Sequence, residues 1–298
     1  MALFRRQPQD STADPDLPGL APAEAQAFMA ELGAALDARG DAWSVDDGIL
    51  RLEGHTTEYG LTNVAQQWRQ SAPGSRRGLL LSRLAAIDEQ HDAPAITPVD
   101  MPALARPQLW AMDAVEELAD VLIAREVTED LAAVLSLDLP TAVQTVRPED
   151  LAGTGMAEEE LWQRALAQLE DGEPIERTVL DDDELVVVLV SDSHFHASRL
   201  LALEELVGAV PPHGALVGVP HRHMLVLHAI YDATVLEAVN LMAPFVVQHF
   251  EDGPGSLSPH LYWWHDGGEL ERLVIDDDEG SITPSDGFVA LLEALTKE

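Results

Sequence analysis

A chain of 298 residues with 46% hydrophobic side chains is long enough to bury one large core or two smaller ones, and it is too apolar to be disordered as a whole. The absence of cysteine excludes disulfides, thiolate nucleophiles, iron–sulfur clusters and Cys-ligated zinc, so any metal must rely on His, Asp or Glu. A formal net charge of -36, which stays strongly negative even with all 11 histidines protonated, argues against a nucleic-acid partner; simple solubility, a salt-rich cytoplasm or a cationic protein partner would each fit it.

The start, "MALFRRQPQD", carries two arginines with no apolar segment after them, so no secretory leader is expected and a cytoplasmic setting follows. No apolar run approaches the roughly 20 residues that a membrane span takes. Residues 1–22, rich in Pro, Asp and small polar residues, read as a flexible tail. A helix is predicted next, with Phe28, Leu32, Ala35 and Leu36 at helical spacing and Gly40 as its stop. Asp47-Gly48 between two β-type runs predicts a type I′ hairpin, and helical patterns follow around 61–70 and 79–88. Residues 23–90 thus form a small α+β unit. The four prolines of "HDAPAITPVDMPALARP" mark 91–107 as a linker.

A larger α+β unit is expected over 108–298. It opens with a helical pattern in "LWAMDAVEELADVLI", then strands broken at Pro140, then a helix in "EELWQRALAQL". Beyond an acidic turn, "ELVVVLV" reads as a strand and "HASRLLALEELVG" as a helix, and "GALVGVP" with "HMLVLHAI" form a hairpin. Thr234 and Glu237 stand at capping-box spacing before a helix that contains Pro244, where a kink or break is expected. "HLYWWHDGGELERLVI" predicts a hairpin turning at Asp266-Gly267, and "GFVALLEAL" a last helix. The fold class is α+β, two units of β-hairpins packed with helices.

The stretches "REVTEDLAAVLSLDLPTAVQTVRPEDLAGTGMAEEELWQRALAQL", "SDSHFHASRLLALEELV", "VGVPHRHML" and "GSLSPHLYWW" resemble, in that order, the YtpQ-like family of uncharacterised bacterial proteins over roughly residues 125–265. The resemblance implies a bacterial source and an α+β fold, and no activity. The family tends to have Ser and Asp where this chain has His221 and His223, so a metal site built on them would not be the family's shared property.

Nine of the histidines fall between 194 and 265, which makes them the first candidates for chemistry. His221 and His223 share a face if the strand starts by 221, and His194 and His196 could meet them across the fold; together the four are a candidate metal site. His228 fails on parity. It reads as a core histidine with one bonded nitrogen, His249 as a helix C-terminal residue, and His213 and His265 as solvated turn residues. "DDDEL" at 181–185 and "DDDEG" at 276–280 miss the EF-hand template and read as acidic turns. Arg76 and Arg77, ahead of a helix, are a candidate anion site. Trp263 and Trp264 alternate in a strand, so one is a candidate interface residue unless a helix covers it.

Signatures of catalysis are missing. There is no GxSxG, HExxH, SxxK or complete GxGxxG, and the single lysine, Lys297, leaves no Schiff-base or phosphate-loop lysine inside the chain. Ser191, Asp192, Ser193 and His194 have triad residue types but are neighbours in sequence, which rarely converge as a triad requires. The leading expectation is a non-catalytic binding or regulatory module without a cofactor. The alternatives are a metal-dependent hydrolase on the four histidines with a divalent ion, and an acidic mimic that occupies a basic protein surface.

Overall fold

A computed structural model describes residues 14–297, apart from 15, 18–19, 56–57, 93–95, 117, 120, 141, 170–173, 183, 208–209, 266 and 277–280. The chain divides into two compact units, Met1–Ala93 and Pro94–Glu298, each an assembly of helices and antiparallel strands.

In the first unit, α1 (Pro22–Arg39) leads to β1 (Trp43–Asp46), β2 (Ile49–Leu52), β3 (Tyr59–Gly60), α2 (Thr62–Gln70) and α3 (Arg76–Asp92). Helix α1 ends on Gly40 at φ 82, where a side chain would be strained. The hairpin turns on Asp47 and Gly48, both at positive φ, as a type I′ turn requires. Phe28 meets Trp68 edge to face at 5.8 Å, and with Leu32, Leu36, Leu50 and Leu80 they fill the core. The tail expected through residue 22 is shorter. Leu17 and Leu20 are buried in this core, because two leucines next to an apolar helix face gain from leaving water. Residues 1–13 lie outside the described residues.

The second unit runs through α4 (Met101–Leu104), β4 (Ala105–Ala111), α5 (Met112–Glu116), β5 (Ala124–Thr128), β6 (Leu131–Asp138), β7 (Val143–Thr145), α6 (Pro148–Thr154), α7 (Glu158–Ala167), β8 (Glu176–Val179) and β9 (Val187–Val190). A 3₁₀ turn (Ala197–Ala202) follows, then α8 (Leu203–Val207), β10 (Ala215–Gly218), β11 (Met224–Ala229), α9 (Val235–Asp252), β12 (Leu261–His265), β13 (Glu269–Asp276), β14 (Ser281–Thr283) and α10 (Asp286–Leu295). A seven-stranded antiparallel sheet, ordered β14-β13-β12-β10-β11-β9-β8, is the middle layer. Strand parity divides its side chains. Leu189, Val217, Leu225, Leu227, Tyr262 and Trp264 face the four-stranded sheet β4 to β7, α7 and the 3₁₀ turn, while Val188, Leu216, Val226 and Leu261 face α9 and α10.

Three expectations change in this unit. The linker read into 91–107 contains α4 and the start of β4, whose proline at 107 lies in register opposite Leu135 of β6; its residues 93–95 are outside those described. The helix read into "LWAMDAVEELADVLI" is a strand as far as Ala111 and only a short helix after it, since pairing with β6 along seven positions outweighs a local helical pattern. Pro244 does not divide α9, and no Thr234 side chain caps it. The Asp232 carboxylate instead accepts from both the Thr234 amide and its hydroxyl, at 2.9 and 2.6 Å.

Candidate functional site

Three segments of the second unit meet at one end of the β10–β11 hairpin. The connection 219–223 lies between the chain after β9 and the chain after α9. Ser191 and Ala197 donate their amides to the carbonyls of His223 and Arg222, at 3.1 and 3.0 Å. From the other side Leu257 and Ser258 donate to Pro220 and Val219, and Arg222 donates to Gly255. Proline at 220 and the short span between the strands curl this connection, so His221 and His223 precede β11 and form a turn.

The curl gathers histidines. His194 and His223 have ring centroids 5.4 Å apart, His221 and His223 6.3 Å, and His221 and His249 6.5 Å. His196 is 1% exposed, and its Nε2 donates to the Leu189 carbonyl at 3.1 Å, leaving Nδ1 buried with no hydrogen-bond partner. His223 donates from Nδ1 to the Ser191 carbonyl, His249 from Nδ1 to the Phe245 carbonyl, and His221 Nδ1 accepts the His223 amide at 3.3 Å. Arg222 reaches His194 Nδ1 at 3.4 Å. A ring nitrogen that donates to a carbonyl carries a proton, and His221, which accepts at Nδ1, carries its proton on Nε2. Burial favours the neutral form of two of these rings: the His196 pKa is pushed down to about 4, and that of His221 to about 3, with the neighbouring His223 and His249 adding to the effect on His221. His223 is lowered as well, first by burial and then by Arg222.

Of the four histidines considered together, His194, His221 and His223 lie ring beside ring, with His249 added to them, while His196 is buried against Leu189. Among the described residues no three His, Asp or Glu side chains are disposed to hold one ion. Zinc added in slight excess at pH 7 is expected to leave the unfolding midpoint unmoved and to wash out on dialysis. One equivalent retained per chain would reverse this reading.

No family model, curated protein or solved structure matches the chain.

Gly253 sets the packing of the cluster from the helix side. A Cβ there would overlap the His221 ring and the His249 carbonyl. Gly253→Ala is expected to lower stability by about 2 kcal/mol in urea unfolding. A loss under about 0.5 kcal/mol would mean that the ring shifts freely.

The remaining candidates have structural partners. Arg76 lies 4.0 Å over the Trp68 ring and donates to the carbonyls of Trp68, Ser71 and Arg69, so its guanidinium closes the C-terminus of α2. Arg77 is exposed on α3 and shares none of those bonds. Trp264 is 4% exposed in the core, and Trp263 is half-buried on the opposite face, 5.6 Å from Phe288 of α10 and stacked on His265 at 3.8 Å. Helix α10 thus covers the residue considered for an interface. His265, expected as a solvated turn residue, is 9% exposed in β12 and its Nε2 meets Glu271 at 2.9 Å. His228 bonds the Leu185 carbonyl through Nδ1, as a core histidine should. The Asp181 carboxylate accepts the amides of Leu185 and Val186, closing the turn between β8 and β9, and most of the 276–280 run lies outside the described residues.

One cluster has no signal in the sequence. Asp130, in the turn between β5 and β6, accepts from the hydroxyls of Ser258 and Tyr262 at 2.7 Å each and from Thr128 at 2.9 Å. Arg272 stands 3.6 Å away and also bonds Glu129. Ser258 and Tyr262 are fully buried, and burial with the nearby carboxylate raises the Tyr262 pKa far above its ordinary value, so the phenol stays protonated and donates. The group joins side chains from the β5–β6 turn to others from β12 and the segment before it. It fastens the four-stranded sheet to β12.

Proposed function

We propose that the chain is a non-catalytic binding module for a partner protein with a cationic surface. The observation that carries this reading is where the positive side chains go. Arg39 pairs with Asp41 and Asp88, Arg51 with Glu58, Arg125 with Glu159, Arg164 with Glu160, and Arg272 with Glu129 and Asp130, while Arg76 and Arg106 serve backbone carbonyls. These cations are thus spent locally, and 17 basic side chains against 53 acidic ones leave a formal excess of 36 negative charges. Such a field steers and holds a positive surface and repels nucleic acid.

The metal-hydrolase alternative has less support, because His196, His221 and His223 are engaged with the backbone and His194 with the Arg222 guanidinium. The acidic-mimic alternative is a special case of the proposal, in which the partner's basic site normally takes another ligand. No helix among the described residues is long and apolar enough to cross a membrane. A cytoplasmic setting and a place among the YtpQ-like proteins, with a bacterial source, belong to the same proposal.

Calorimetric titration with a basic peptide tests it. Saturable binding of fixed stoichiometry is expected at about 0.15 M salt, weakening as salt rises. Binding that vanishes at that ionic strength, or equal binding of a neutral peptide, counts against the reading.

A further inference from the structure

The seven-stranded sheet has β8 at one border and β14 at the other. Strand β4 also stands at the border of a sheet, but Ser198 of the 3₁₀ turn accepts its Leu109 amide at 3.0 Å, so that edge is closed by the fold. Residues 176–179 pair with β9 on one side, and among the described residues no backbone hydrogen bond reaches them from the other. All four are exposed, Val179 among them at 38%. An unpaired edge of this kind presents amides and carbonyls in the spacing that another extended strand matches.

Charge decides which strand. Among the described residues Glu176 lies on the strand, and Asp181, Asp182 and Glu184 follow directly after it. The one local cation, Arg177, already pairs with Glu184 at 3.4 Å. A second copy of the chain would set two such acidic runs against each other on top of two charges of -36, so self-pairing is disfavoured at moderate salt. A segment of alternating basic and apolar residues meets both requirements. Its backbone fits the open ladder, its apolar side chains lie against Val179, and its cations face the carboxylates.

We propose that the free edge of β8 is a docking site that takes up an extended cationic segment of a partner protein as one more strand of the sheet. This rests on the binding-module reading and narrows it to a place and a geometry.

The test uses the full chain and two synthetic octapeptides of alternating lysine and valine, one unmodified and one N-methylated at alternate amides, which keeps the charge and blocks one ladder edge. The unmodified peptide is expected to bind about tenfold more tightly or better. The paired substitution Glu176→Lys and Val179→Lys is expected to erase that difference with the unfolding midpoint unchanged. Should this variant fold poorly, the comparison of peptides on the unaltered chain still decides. Equal affinities for the two peptides, with the same salt dependence, overturn strand addition and leave the acidic-surface reading standing. Binding of neither peptide overturns both. A dimer in solution that the same substitutions dissolve makes a second copy the occupant, and that also overturns the proposal.

Discussion

Acidification from pH 7 to about 4.5 is expected to remove several kcal/mol from the stability of the second unit. The folded state holds His196 and His221 neutral down to pKa values of about 4 and about 3, whereas in the unfolded chain each titrates near 6.5. Below pH 6.5 the unfolded state therefore takes up protons that the folded state refuses. Stability is complete above that point and falls as the pH drops towards the folded values. At about 1.4 kcal/mol per pH unit, each ring accounts for on the order of 2 to 3 kcal/mol by pH 4.5. Protonation of surface carboxylates acts in the opposite direction by relieving repulsion, but at about 0.15 M salt that repulsion is screened over about 8 Å. Arg199 beside His196 and Arg222 beside His221 carry permanent positive charge and strengthen the effect. Urea unfolding between pH 7 and 4.5 measures it. His196→Gln with His221→Gln should flatten the slope even though the variant starts less stable at pH 7. A slope unchanged by these substitutions would refute the role given to the two rings.

Asp130→Ala should be the most damaging single substitution away from the hydrophobic cores, at about 3 kcal/mol. It removes the shared carboxylate acceptor of two fully buried hydroxyls, which stay 2.6 Å from each other, and it takes one carboxylate partner from Arg272, which keeps Glu129. Asp130→Asn, which keeps the shape and one acceptor, should lose about half as much. Combining Asp130→Ala with Tyr262→Phe should cost less than the sum of the two, with a coupling of about 1 kcal/mol or more. Additive losses in denaturant unfolding would mean that the carboxylate and the phenol do not act as a pair.

The contrast between legible and hidden features follows their range along the chain. Asp47-Gly48, the stop at Gly40 and the alternation of "HMLVLHAI" were readable because each is set by residues a few positions apart. Strand β8 shows no alternation to read, since both of its faces are exposed. The end of β4, residues 109–111, reads as helix and its start as linker because what makes it a strand is β6, twenty or more residues away. For the histidines, parity along one strand could place only pairs. Their meeting depends on backbone bonds that join 191–197, 219–223 and 253–258, and no spacing rule encodes these. The Asp130 group lies further out of reach, with hydroxyl partners 128 and 132 positions distant. Trp263 shows the reverse error. Strand parity correctly puts it on the face opposite Trp264, but the helix that covers it arrives only at residue 286.

Strand β10 has β11 on one side, β12 on the other, and apolar clusters above and below all four of its residues. Its amide protons can reach deuterated solvent only when the whole unit opens, so their exchange rates report the unit's full unfolding free energy. The border strand β8 should exchange orders of magnitude sooner. A single labelling time course would therefore show the sheet losing its protection from one margin inward, with residues 215–218 the last to take up label.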